Sequence, residues 1–404
     1  MTKPLTGIRV LDLSRILAGP WCSQHLADMG AEVIKIEHPQ RGDDTRGWGP
    51  PFIEDTGESA YFLCANRGKK SVAIDIASSE GQALIRKLAA ESDVVLENFK
   101  VGGLAKYGLD FDSLKQVNPD IIYCSITGFG QSGPYAPRTG YDFLIQGMGG
   151  LMGITGKADS EAGGGPVKTG VAVTDLFTGM YAASSVLSAL LDRERNGAKA
   201  VHIDLSLLDV QVATLANQAL NYLTSGVSPT RLGNSHPNIV PYQAFATADG
   251  HIILAVGNDS QFEKFCDVAN ASELLASGLY NTNRQRVEQR AQLVPLLEAI
   301  VRQQPSEFWL SELKKAGVPC GPINSIEQVF NDPQVKHRGI QLTMERGQAS
   351  SVDLVSNPVR TNEQAMNADS APPQLGEHTR DVLSELLHED PQTLDALRDK
   401  GVIR

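Results

Sequence analysis

Apolar runs of strand length alternate with stretches of helical period from the start of the chain. Residues 8–13 form a short apolar run, 21–29 carry a helical pattern that stops at Gly30, and 32–37 form a second apolar run. Together they predict a strand–helix–strand opening. The alternation continues with a strand over 71–76, a helix over 80–91, and strands over 93–97 and 121–126. Strands interleaved with helices imply an α/β fold, its mostly parallel sheet covered on both faces. Residues 147–170 are thick with glycine, including Gly163-Gly-Gly165, and read as loop. A long helix rich in alanine and serine is predicted over 176–193, then a strand over 200–205 and another helix through Leu223.

Beyond residues 225–229 the character shifts. Apolar runs over 242–247 and 251–256 flank Ala248-Asp-Gly250, a hairpin signal, and helical patterns follow over 260–268, 286–303 and 306–316. Two short surface helices are predicted over 381–387 and 391–400. The pattern divides the chain into a large domain built from residues 1–225 and 326–404 and a smaller α+β domain from 226–325.

Length agrees with that division, since 404 residues exceed the roughly 250–300 that one hydrophobic core serves. The balance of 36 basic against 47 acidic side chains gives a net charge of −11. That argues against nucleic acid or an acidic membrane as partner, so any anionic ligand must meet a local basic pocket. The five cysteines, Cys22, Cys64, Cys124, Cys266 and Cys320, form no C-x-x-C pair and have no histidine at ligand spacing. This fits a reducing cytosol and no metal site. The opening Met-Thr-Lys-Pro-Leu-Thr-Gly lacks a signal-peptide pattern, and no run of about 18 apolar residues is present. The expectation is a cytoplasmic protein with no membrane partner.

Three features could carry chemistry. Gly128-Phe-Gly-Gln-Ser-Gly-Pro134 spells the G-x-G-x-x-G of dinucleotide sites directly after a predicted strand. The fingerprint also needs a helix opening at once and an acid about 20 residues on. Pro134 and Pro137 disfavour that helix, and Gly150 and its neighbours are apolar or small. A plain glycine–proline turn competes with the nicotinamide-cofactor reading.

Basic residues near predicted turns are the second feature: His38 and Arg41 after one strand, Asn66-Arg-Gly-Lys-Lys70 before another, Lys100 and Lys106 after a third. The carboxyl ends of strands line the ligand crevice of an open α/β sheet, where such residues suit a phosphorylated ligand. Solvated surface charge is the alternative. The third is Asp175, at the mouth of the alanine- and serine-rich helix. A helix-capping acid and a carboxylate nucleophile kept ionised by the helix N–H groups both fit that position.

A wider set of motifs separates these alternatives. Leu17-Ala-Gly-Pro20, Gly30-Ala-Glu-Val-Ile-Lys-Ile-Glu37, Gly42-Asp-Asp-Thr-Arg46, Asn66-Arg-Gly-Lys-Lys-Ser71, Glu97-Asn-Phe99, the Gly128 turn, Gly140-Tyr-Asp142, Thr174-Asp-Leu176 and Gly317-Val-Pro-Cys-Gly-Pro322 run in this order nearly end to end. The sequence resembles the class III CoA-transferases, the CaiB/BaiF family. Gly42-Asp-Asp-Thr-Arg-Gly-Trp-Gly-Pro-Pro-Phe52 and Asn234-Ser-His-Pro-Asn-Ile-Val-Pro-Tyr-Gln-Ala-Phe245 are most similar to its succinyl-CoA-dependent hydroxymethylglutarate and glutarate transferases.

The resemblance implies a Rossmann-like large domain made from both chain ends, a small middle domain and an interlocked homodimer. It implies acyl-CoA and small carboxylic acids, especially dicarboxylates, as substrates, with no tightly bound cofactor. Carried over, the catalytic aspartate is Asp175, acting through an acyl-aspartyl anhydride and an aspartyl-CoA thioester. The implied CoA contacts are Leu17, Ala18, His38, Ala65, Asn66, Arg67, Gly68, Lys69, Asn98, Phe99, Lys106, Gly128 and Tyr141. His38 and Lys106 stand where some relatives have arginine, and Thr127 where some have lysine. Arg46, Arg231 and His236 are candidates for the acceptor's distant carboxylate. Two rival readings are an α-methylacyl-CoA racemase, whose histidine position is filled here by Tyr141, a poor base at neutral pH, and an NAD-dependent oxidoreductase built on the Gly128 turn.

Overall fold

The computed structural model describes residues 3–54, 56–346 and 350–404. The chain separates into two compact units, one of residues 1–149, 170–214 and 333–404 and the other of 150–169 and 215–332.

The first unit is built on six strands, β1 (Arg9–Asp12), β2 (Glu32–Glu37), β3 (Lys69–Ala73), β4 (Val94–Glu97), β5 (Ile122–Thr127) and β6 (Val201–Ser206). They pair in the order β3-β2-β1-β4-β5-β6, every neighbour parallel. This is the doubly wound order whose direction reverses between β1 and β4, the place where such sheets open a crevice. Strands buried on both faces must be apolar throughout, and β4, Val-Val-Leu-Glu, is buried at every position. One face is covered by the helices Ala18–Asp28 and Val173–Asn196, through Cys22, Leu26, Ala182 and Val186. The other is covered by the helix Ser79–Ala90 and by chain-end residues Val382, Leu383, Leu394 and Ile403.

Several boundaries differ from the sequence expectation for local reasons. The helix expected over 21–29 starts at Ala18, because Pro20 falls in the first turn, where no N–H partner is needed. The long helix runs Val173–Asn196, longer than 176–193 at both ends, and closes on Gly197 in the left-handed conformation. The helix expected through Leu223 is two, Leu207–Thr214 and Ala216–Ser225, broken where Ala216 takes φ +48°. A hairpin that no sequence signal had marked, β10 (Gln341–Arg346) with β11 (Ser350–Val355), lays Val352 and Leu354 on Phe62 and Leu63.

In the second unit β7 (Tyr242–Ala246) and β8 (His251–Ala255) form the hairpin about Ala248-Asp-Gly250, and β9 (Cys320–Pro322) adds an antiparallel edge. Phe245, Phe262, Phe265, Leu293 and Trp309 fill its core. The unit division falls away from 226 and 325. Residues 150–169, read as loop of the large domain, belong here because Arg231 holds them, donating to the Gly153 carbonyl (3.2 Å) and pairing with Asp159.

Candidate active site

The C-terminal ends of β1, β2, β4 and β5 surround a cavity of about 520 Å³ within the first unit. The chain leaving β1 is shaped by its buried polar neighbours. Asp12 accepts from the hydroxyls of Ser14 and Ser23, at 2.5 Å each, and pairs with Lys69 at 3.3 Å. Lys35 donates to the Ser14 carbonyl (2.8 Å) and pairs with Asp43 (2.9 Å). Ile16 is driven to φ +73°, a costly conformation for a β-branched residue, and its N–H donates to the Asp43 carboxylate. Asn98, just past β4, accepts from Arg15 N–H (3.0 Å) and donates to the Arg15 carbonyl (2.6 Å), tying the two strand ends together across the reversal.

Leu17, Ala18, His38, Asn98, Phe99, Lys106, Gly128, Tyr141 and Asp175 all line this cavity. Ala65, Asn66, Arg67, Gly68 and Lys69 are not among its lining residues. Arg67 forms a forked pair with Asp28 (2.8 and 2.6 Å) and donates to the Val355 carbonyl. Gly68, at φ +75°, lets the 368–370 segment approach, where a Cβ would stand 2.3 Å from that of Ala368. Lys69 donates to the Pro20 carbonyl and to Asn66, its ammonium pushed down to about 8 by burial.

Asp175 lies in the first turn of the helix Val173–Asn196. It is not the cap. Asp142 reaches across to accept from the N–H groups of Thr174 (2.8 Å) and Asp175 (3.3 Å), and its second oxygen accepts from Gln146 (2.7 Å). The helix N–H groups expected to keep Asp175 ionised are therefore taken by Asp142. Burial first, and the Asp142 carboxylate second, push Asp175 up to about 7. Tyr61, whose ring meets Trp48 edge-on at 5.1 Å, shares this environment: burial, then the Asp175 charge, push its phenol up to about 12.

The Gly128 turn meets the 140–142 segment backbone to backbone, for a Cβ on Gly128 would stand 2.6 Å from the Gly140 Cα. Thr127 closes the turn by accepting from Gly130 N–H at 2.9 Å. No helix follows the turn until Asp142–Met148, which removes the setting a dinucleotide pyrophosphate needs. Tyr141 stands before that helix, 60% exposed.

The proposed carboxylate ligands are placed differently. Arg46 is committed to Glu37 (2.7 and 2.8 Å) and Glu58 (3.1 Å), with its guanidinium 3.7 Å from the centre of the Phe62 ring. Arg231 and His236 belong to the other unit. Arg231 pairs with Asp159, and the His236 ring stands 5.3 Å from that of Tyr242. Sequence reasoning missed Arg15, Arg138, Trp48 and Tyr61 as individual residues. Trp48 lay inside a motif already used for the resemblance, but nothing in the local pattern of Arg138 marks it. Among the described residues no cluster of His, Cys, Asp and Glu could hold a metal, and no helix is long and apolar enough to cross a membrane.

Residues 5–379 match the family described as CoA-transferase family III. The chain is 49% identical to a succinate–glutarate CoA-transferase of Agrobacterium fabrum, over 95% of this chain and 96% of that one. It is 44% identical to a succinyl-CoA:glutarate CoA-transferase of Mus musculus, covering 99% and 90% of the two. The crystal structure of a CaiB/BaiF family protein from Brucella suis superposes with a TM-score of 0.84 at 50% identity, covering 96% of this chain and all of that one. The racemase and oxidoreductase readings give way to these matches, and the chain belongs to CoA-transferase family III, an enzyme family acting on CoA thioesters.

Proposed function

We propose that the protein moves CoA from succinyl-CoA or another dicarboxyl-CoA to a free dicarboxylic acid such as glutarate or hydroxymethylglutarate, with Asp175 as covalent catalyst. An Asp175 oxygen attacks the thioester carbonyl, the C–S bond breaks, and CoA leaves as thiolate. The thiolate then attacks the aspartyl carbonyl of the acyl-aspartyl anhydride, releasing the first acid as carboxylate and leaving an aspartyl-CoA thioester. The incoming carboxylate attacks that thioester, forming a new anhydride. CoA thiolate takes the new acyl group and frees the Asp175 carboxylate. No proton is gained or lost overall, and splitting the transfer keeps each step an exchange between activated acyl groups.

The observation that carries this reading is the place of Asp175, in the wall of a cavity that also holds Leu17, Ala18, His38, Asn98, Phe99, Lys106, Gly128 and Tyr141. In this reading these residues contact CoA, with Arg15, Arg41 and Lys100 adding positive charge at the same strand ends. The relatives named for glutarate support the choice of diacids. The enzyme is read as a cytoplasmic, interlocked homodimer with no tightly bound cofactor. Phe177, Met180, Tyr181 and Leu191, exposed on the long helix, are a face that a second copy would cover.

The test mixes succinyl-CoA with a panel of acids and follows new thioesters by mass spectrometry, with Asp175→Ala in parallel. Exchange is expected to fall by at least a thousandfold in the variant. Undiminished exchange would sink the covalent mechanism.

A further inference from the structure

The cavity's positive charge is unevenly distributed. Arg15, His38, Arg41, Lys100 and Lys106 all stand on the chain leaving β1, β2 and β4. The half formed by the end of β5, residues 136–141 and Asp175 carries one cation, Arg138. Its guanidinium is seated against two rings of the Gly128 turn, 4.7 Å from the centre of Tyr135 and 5.2 Å from that of Phe129. Phe129 is buried, so this seat is fixed to the core. The backbone N–H of Arg138 donates to the Tyr135 carbonyl at 2.8 Å, which locks the turn beneath it.

Among the described residues Arg138 has no carboxylate within ion-pair distance, and its one side-chain hydrogen bond is a weak contact to the Met148 sulfur at 3.9 Å. Arg15, by contrast, is paired with Asp44 at 3.0 Å. A guanidinium with five donors, held by ring contacts and left without an acid, is prepared for a carboxylate from outside. Asp175 does not supply it: both residues line the cavity, and among the described residues no ion pair joins them.

We propose that Arg138 binds the carboxylate that does not react, on both the dicarboxylic acyl group and the dicarboxylic acceptor, and so selects diacids over monoacids of equal length. The proposal rests on the transfer reading above. It moves the role considered for Arg46, Arg231 and His236 to a residue on the same wall as Asp175.

The experiment uses the full-length protein, Arg138→Gln and Arg138→Lys. Exchange from succinyl-CoA is measured with glutarate and with pentanoate, and the affinities for CoA and for glutarate are measured by calorimetry. Wild type should favour glutarate. In Arg138→Gln the KM for glutarate should rise at least tenfold and glutarate binding weaken in parallel, while CoA affinity stays within twofold. Arg138→Lys should recover part of the loss, since it keeps the charge and loses the fork. Equal losses in kcat/KM for the two acceptor acids, which reports the acceptor step alone, or a tenfold loss of CoA affinity with glutarate binding intact, would overturn the proposal, the latter assigning Arg138 to a CoA phosphate. If wild type transfers CoA to no acid, the transfer reading fails by itself. Glutarate binding then still decides for Arg138: loss in Arg138→Gln supports the site, and absence of binding to wild type refutes it. Arg138 is exposed, so unfolding is not expected, and thermal melts of both variants check this.

Discussion

Two acids meet at the mouth of the long helix, and they divide the work that one was expected to do. Asp142 satisfies the helix N–H groups, which leaves Asp175 buried beside a negative charge with its carboxyl raised to about 7. A nucleophilic carboxylate must be ionised, so kcat/KM should rise with pH and level off above about 7. Asp142→Asn keeps an oxygen for the Thr174 N–H but removes the charge, so ionising Asp175 costs less and the acid limb of the profile should move to lower pH. A limb that stays in place would show that Asp142 does not set it. The resemblance picked out Asp175, Asn98 and Phe99, which line the cavity, because those positions travel with motifs. It could not tell that Lys69 is buried against Asp12 and the Pro20 carbonyl, since a lysine beside a strand reads alike in either direction. Arg138 was invisible for another reason: its seat on Phe129 and Tyr135 exists only once the turn is folded.

The helices Ala18–Asp28 and Val173–Asn196 cross at a glycine. A Cβ on Gly179 would stand 2.6 Å from the Ala18 carbonyl oxygen and about 3 Å from Trp21, so only glycine allows this approach. Gly179 lies one turn after Asp175, and whatever pushes it outward also moves the nucleophile. Gly179→Ala should lower the denaturation midpoint by a destabilisation of about 1–3 kcal/mol, the usual range for overpacking. It should also cut kcat more than tenfold; normal activity would mean that the two helices adjust without moving Asp175. The sheet strands were legible because fully buried strands leave unbroken apolar runs. The break at Ala216 was not, because alanine favours helix and only tertiary packing forces its φ positive. The β10–β11 hairpin escaped because its alternation is short and half exposed on β10.

Over the whole molecule a net charge of −11 surrounds a cavity rimmed by Arg15, Arg41, Lys100, Lys106 and Arg138. An anionic protein that takes an anionic thioester depends on that local field, which salt screens over about 10 Å at 0.1 M and 3 Å at 1 M. The KM for acyl-CoA should therefore rise several-fold over this range in initial-rate measurements, and a flat response would place the phosphates away from these cations. At this scale the sequence announced a chain that leaves its α/β sheet and returns. It did not announce that residues 150–169 join the other unit, because a glycine-rich stretch has no periodicity and takes its place from Arg231.

The contact at Gly179 also has an optical side. The chain has three tryptophans: Trp309 is sealed in the core of the second unit, Trp48 stands edge-on to Tyr61, and Trp21 touches Gly179. With Trp48 and Trp309 replaced by phenylalanine, the remaining indole is a built-in emitter one helical turn from Asp175, so events at the nucleophile can be watched as light without attaching a dye.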